Sequence, residues 1–243
     1  MFYQRDFIMR MIEQMTTVVA QVVGLKRDRK PAEIIIVVNA SLEKMFRLNS
    51  NLINSLSDRD LLDMMKTNDL LQTEKALAVG YLLKEEGEAL EALDRKDESY
   101  RRYMKSLSLF LSAAYEGANT KMIDFHLQID ELLVHLENYE LPVSYQLRLF
   151  TYYDQSGRFA DAEDAIFNLA VLSNYELNEN NTRSEDQQIT METISNEGLL
   201  FYERILAKDD ITLIEGRLPR QEAIDGYEEW QQKYTNLIKN VSI

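Results

Sequence analysis

Ile8, Met11, Met15, Val18, Val22 and Leu25 recur at steps of three and four, with Arg10, Glu13, Gln14, Thr17 and Gln21 set between them. That period belongs to a helix with one apolar stripe. It predicts an amphipathic helix ending near Gly24, followed by a polar linker over residues 26–30. Pro31 opens a second helix, where its missing N–H is no loss, and Glu33 meets the positive end of the helix dipole in the first turn. Residues 34–38 are β-branched and compatible with a strand. The apolar pattern runs on through Leu42, Met45, Phe46 and Leu48 without a turn signal, so a helix is predicted.

Ser57 with Asp60 three residues on resembles a capping box and starts a short third helix faced by Leu61, Leu62 and Met65. Asn68 or Asp69 caps a longer helix over residues 70–93, with a partner over 97–115 and a break at Gly117 and Asn119. A further helix covers residues 122–136, and Pro142 opens the next. Beyond residue 174, large apolar residues thin out, and residues 175–198 hold six acids against Arg183 alone. The first half reads as a mobile acidic loop and the second as the start of a helix reaching Leu206. A short helical turn follows at residues 210–214, then a last helix from Pro219 through Tyr227, Trp230, Tyr234 and Ile238.

Residues 143–170 carry the clearest supersecondary signal. Tyr153, Gly157, Phe159, Ala162 and Ile166 fall where a tetratricopeptide-type helical hairpin sets its small and large packing residues. Gly157 suits the turn, because a residue without Cβ takes the left-handed conformation that ends a helix. An earlier segment aligns with it at an offset of 63 residues, placing Gly87 and Ser99 at small sites and Tyr103 at a bulky one. There Glu86 and Lys96 stand where apolar or aromatic residues belong. The offset is no multiple of the usual period of about 34, so the array is irregular.

The expected fold is all-α: an irregular tetratricopeptide-like antiparallel array of nine or ten helices, capped by its N- and C-terminal helices. The expected organisation is an N-terminal helical region over 1–68, hairpins over 69–174, an acidic loop over 175–188 and capping helices over 189–243. Only 8 Gly and 3 Pro in 243 residues agree with a chain that needs few tight turns.

A net charge of −14 disfavours nucleic acid, which is gripped through Lys and Arg on phosphates. The charge is uneven. Residues 1–30 hold six basic residues against three acids, a balance of +3, which leaves −17 on the remainder. With no cysteine, thiolate metal sites, disulfides and cysteine nucleophiles are excluded, and a reducing cytoplasm is the natural setting. Asp6 and Glu13 interrupt any signal-peptide pattern, and the uncharged run over residues 14–25 falls short of the roughly 20 apolar residues that span a bilayer. The first helix suits burial in its own fold, then a contact with a second copy. A membrane surface ranks last, because its polar face alternates in sign.

The segments over residues 1–15, 46–65 and 216–230, with the central hairpin in order between them, together resemble a family of unknown function. That family is found chiefly in Gram-positive bacteria and looks tetratricopeptide-like. The resemblance implies a bacterial cytoplasmic setting and brings no activity, cofactor or catalytic residue to carry over.

Candidate chemistry is sparse. His126 stands one helical turn from Asp130, and His135 one turn from Glu131, so each pairs locally with an acid. Nine steps of about 100° put the two imidazoles on opposed faces, and neither they nor any glycine-rich loop or Gly-x-Ser-x-Gly elbow points to a metal, a cofactor or a nucleophile. The acid pairs Glu85–Glu86 and Asp209–Asp210 read as solvated helix faces or caps. Tyr153 reads as hairpin core, while Tyr145 and Tyr152 are candidates to line a groove.

These patterns favour a non-enzymatic scaffold or adaptor for a protein or peptide. The alternative is a small-molecule sensor or enzyme whose site is built from dispersed polar residues. In a tetratricopeptide hairpin the first helix lines the concave face. That rule selects Ser144, Leu147, Thr151 and Gln155 in the better hairpin, and Tyr81, Lys84, Glu88 and Glu91 in the weaker one. Neither set has the Lys/Asn pattern that grips a peptide carboxylate, and a segment such as the chain's own residues 179–188 fits their mixed character.

Overall fold

A computed structural model describes residues 2–118, 123–179 and 190–235. Its described residues form twelve α-helices and one pair of two-residue strands, so the chain is all-α. They divide into two compact units, Met1–Glu140 and Leu141–Ile243, with one of the two hairpins in each.

In the first unit, α1 (Phe2–Arg27) runs past Gly24 and ends on Lys26 and Arg27, cations that suit the negative end of the dipole. Met11, Met15 and Val22 of its apolar stripe are buried. Pro31 is the first residue of α2 (Pro31–Phe46), so residues 34–38 are helical. Asn49 caps α3 (Ser50–Ser55), a helix too short to show a period in sequence. Ser57 and Asp60 form the expected capping box on α4 (Asp58–Met64), with mutual side-chain and backbone hydrogen bonds.

The region after α4 differs from expectation. Asn68 and Asp69 cap no helix; both take positive φ, 52° and 61°, as the central residues of a tight turn. They join β1 (Lys66–Thr67) to β2 (Leu70–Leu71) as an antiparallel hairpin, because the left-handed pair matches the twist of its two strands. The long helix α5 (Thr73–Ala92) starts only afterwards, and Gln72 supplies it no side-chain cap.

α5 is the centre of this unit. It packs against α2, α6 (Lys96–Tyr115) and, more lightly, α1 and α7 (Phe125–His135), and thirteen of its residues are buried. Gly87 lets α6 approach: a Cβ there would lie 2.6 Å from the Tyr103 ring.

The second unit begins with α8 (Val143–Gln155), turns at Gly157 with φ of 74°, and returns as α9 (Phe159–Glu179). Ala162 and Ile166 are fully buried between them. Residues 175–179 continue α9 where a loop was expected, while residues 180–188 of that segment, with Asn119, Met122 and Ile238, lie outside the described residues. α10 (Met191–Leu206), α11 (Asp210–Glu215) and α12 (Arg220–Trp230) complete the unit, and α12 passes into a π-helical turn over Gln231–Thr235. Their shared core is aromatic: Phe150, Phe159, Phe201, Tyr202 and Trp230 are buried together. Trp230 keeps its one polar atom satisfied by donating from Nε1 to the Ser195 carbonyl at 3.2 Å.

Candidate functional site

Among the described residues, a dense group of chemically capable side chains lies where α5 meets its neighbours. Four consecutive steps of α5, Lys84 to Gly87, are buried, so three ionisable groups enter the interior side by side. Each finds an opposite charge, as a buried charge must. The Glu86 carboxylate accepts from Arg102 Nε at 2.6 Å, and Arg102 also donates to Asn54 Oδ1 at 2.7 Å. The other Glu86 oxygen faces Asn39 and Ser50, each at 3.4 Å. Lys105 Nζ donates to the Leu56 carbonyl at 2.6 Å, tying α6 to the end of α3.

A second chain of pairs runs toward solvent. Lys26 Nζ bridges Glu85 and Glu88, each at 2.6 Å, which anchors the last turn of α1 on α5. Lys84 Nζ sits 2.8 Å from Glu88 and 2.5 Å from Glu131 of α7. At the outer edge, Glu91 Oε2 accepts from the Tyr103 hydroxyl at 2.7 Å and lies 2.9 Å from His135 Nδ1. The Tyr103 and His135 rings stack with centroids 4.7 Å apart.

Electrostatics follow from this pairing. Burial alone would lower the Lys84 pKa, but Glu88 and Glu131 outweigh it and hold the ammonium above the ordinary lysine range. Burial pushes Glu88 up, while Lys84 and Lys26 pull it further down, so it stays ionised below the usual carboxylate range. Tyr103 and Tyr81 are held neutral, first by burial and then by the carboxylates of Glu91 and Glu85 respectively. The cluster is thus a set of matched charges and their hydrogen-bond partners that joins six helices, α1, α2, α3, α5, α6 and α7.

The residues selected from sequence are divided by this geometry. Tyr81 and Glu88 are half-buried and Glu91 is exposed, but Lys84 is only 3% exposed and belongs to the interior. In the second unit Ser144 and Gln155 are exposed, whereas Leu147 is half-buried against the aromatic core and Thr151 donates to the Leu147 carbonyl. Tyr145 and Tyr152 are buried and so line no open groove; Tyr153 packs on the core.

Two further readings are corrected. Glu85 and Glu86 are not solvated acids but buried ones, and His135 bonds Glu91 of another helix while its sequence neighbour Glu131 serves Lys84. Asp209 does cap its helix, accepting from Thr212 N. Sequence reasoning did not single out Arg102, Lys105 or Lys26 for this cluster. The usable signal was Glu86 itself, an acid at a packing position of the hairpin, which demands a cation opposite.

The second unit also has a partly buried pair. Tyr202 donates to Glu163 Oε1 at 2.6 Å. Burial raises the Glu163 pKa, the tyrosine hydrogen bond opposes this, and the nearby acids Asp164, Glu222 and Glu229 add to the rise. Among the described residues no group of three or more His, Asp or Glu is placed to hold a metal ion, and no helix is long and apolar enough to cross a membrane.

The protein is therefore an all-helical one in which the polar cluster around α5 joins helices to one another. Residues 2–235 match the family of unknown function designated DUF6483, and the chain belongs to that family. No curated protein and no solved structure matches it.

Proposed function

We propose that the protein is a non-enzymatic, tetratricopeptide-like scaffold or adaptor that binds a protein or peptide partner in the bacterial cytoplasm. The observation that supports this reading is the closure of the α5 cluster. Lys26, Lys84 and Arg102 each face carboxylates within 2.8 Å, so the groups suited to acid–base work are engaged with one another. Such pairing stabilises one helical arrangement and leaves binding to the helix surfaces.

The partner surface in this reading is the exposed part of α8, represented by Ser144 and Gln155. Affinity capture of the endogenous protein would identify the partner. Replacing both residues by Glu should leave the melting temperature unchanged and weaken binding about tenfold, equivalent to about 1.4 kcal/mol. Undiminished affinity would move the surface elsewhere. A small-molecule sensor is the second reading, favoured by the Tyr103–Glu91–His135 group at the solvent edge. A metabolite that raises the melting temperature of the wild type, but not of His135→Ala, would select it.

A further inference from the structure

Beside its buried stripe, α1 carries a second one. Met9, Ile12, Thr16, Val19 and Val23 follow steps of three, four, three and four, each one residue beyond a member of the first stripe, Ile8, Met11, Met15, Val18 and Val22. Met9 and Val23 are 55% and 57% exposed, Thr16 is exposed, and Ile12 and Val19 are half-buried. The buried stripe is already covered within the unit, where α1 packs on α2 and α5. The second stripe is left facing outward over about 21 Å, at 1.5 Å per residue.

We propose that this stripe is the seat of a second copy of the chain, paired antiparallel α1 to α1 about a two-fold axis at Thr16. The spacing is self-complementary. Met9 lies seven residues before Thr16 and Val23 seven after, while Ile12 lies four before and Val19 three after. Antiparallel pairing therefore sets Met9 against Val23 and Ile12 against Val19, with the small Thr16 meeting itself where the helices cross.

Charge selects the direction. Asp6, ten residues before Thr16, and Arg27, eleven after, are both exposed. In the antiparallel pair each Asp6 comes opposite an Arg27 of the other copy, twice by symmetry. A parallel pair would set Asp6 against Asp6 and Arg27 against Arg27. The same mixture of signs, with Arg10 and Glu13 also exposed, lacks the cationic face that a lipid surface selects. The inference is independent of the α8 surface proposed above, since it uses no residue of the second unit.

The test uses the full chain, which has no cysteine of its own. Sedimentation across about 1 to 100 μM should show a monomer–dimer equilibrium. Val23→Glu, at an exposed site, should raise the dissociation constant at least tenfold with an unchanged thermal melt. Asp6→Arg should weaken the dimer, and adding Arg27→Asp to the same chain should restore it. Under mild oxidation Thr16→Cys should cross-link readily, as should a mixture of Met9→Cys and Val23→Cys chains, while Met9→Cys alone should not. A monomer at every concentration would overturn the proposal. So would a dimer indifferent to Val23→Glu, rapid cross-linking of Met9→Cys alone, or binding to anionic vesicles by a chain that stays monomeric.

Discussion

In the α5/α6 hairpin, Glu86 faces Arg102 and Gly87 faces the Tyr103 ring. In the α8/α9 hairpin the interior positions belong to Phe150, Phe159, Ala162 and Ile166. Both hairpins set small residues against large ones, yet one closes on ion pairs and the other on apolar rings. The difference lies in what each central helix must touch. α5 is enclosed by neighbours on most of its circumference, so Lys84, Glu85 and Glu86 have no route to water and must find partners among those neighbours. α8 has buried residues at only four positions, Tyr145, Leu149, Phe150 and Tyr152, and none of them is charged.

That contrast predicts unequal responses to mutation. The largest effect belongs to Arg102→Ala, which strands the Glu86 carboxylate in the interior; such losses run at about 3–5 kcal/mol. Chemical denaturation should show it, with hydrogen exchange rising first in α5 and α6. Replacing both Glu86 and Arg102 by Leu should recover much of the loss, since no charge is then left unpaired. A double variant no better than Arg102→Ala would mean that Asn39, Ser50 and Asn54 depend on the pair for their own satisfaction.

Next comes Gly198→Ala in the aromatic unit. A Cβ there would lie 2.2 Å from the Trp230 indole, so the ring must move. Overpacking of this kind typically costs about 1–3 kcal/mol. Loss of the near-ultraviolet signal of Trp230, the chain's one tryptophan, should accompany it; a signal identical to wild type would show that the helices separate easily.

A third test separates the units by pH. Glu88 has a depressed folded pKa, so its stabilisation is complete above the unfolded value of about 4.3 and is lost as pH falls through the folded one. Glu163 has a raised folded pKa. Its effect has the opposite sign: that part of stability is present below the unfolded value and is lost as pH rises through the folded one. Acidification should therefore loosen amides of α5 before those of α9. Simultaneous loosening would place the acid-sensitive pairs elsewhere.

The smallest effect is the loss of the capping box. Ser57→Ala removes the acceptor for Asp60 N and should lower stability by about 1 kcal/mol, visible as a small shift of the denaturation midpoint.

Most helices were legible because a stripe of apolar residues is a local statement. The period of α1, Pro31 at the start of α2, the Ser57–Asp60 cap and the Gly157 turn each act within a few residues of themselves. The exceptions have local reasons too. α3 is shorter than the window a period needs, and Asn68–Asp69 carries a turn signal that serves a hairpin as readily as a helix cap.

What only the tertiary structure decided is the fate of each charge. Glu85 and Glu86 look in sequence like any acid pair on a wet helix, and Lys84 like any exposed lysine. Their burial is set by α1, α2, α6 and α7 arriving from residues far away in the chain. His135 likewise prefers Glu91 to the nearer Glu131, because α5 brings that carboxylate to Nδ1 and Lys84 has already taken the other. Periodicity tells which way a side chain points along its own helix; which partner meets it there depends on long-range packing, which no local window of sequence contains.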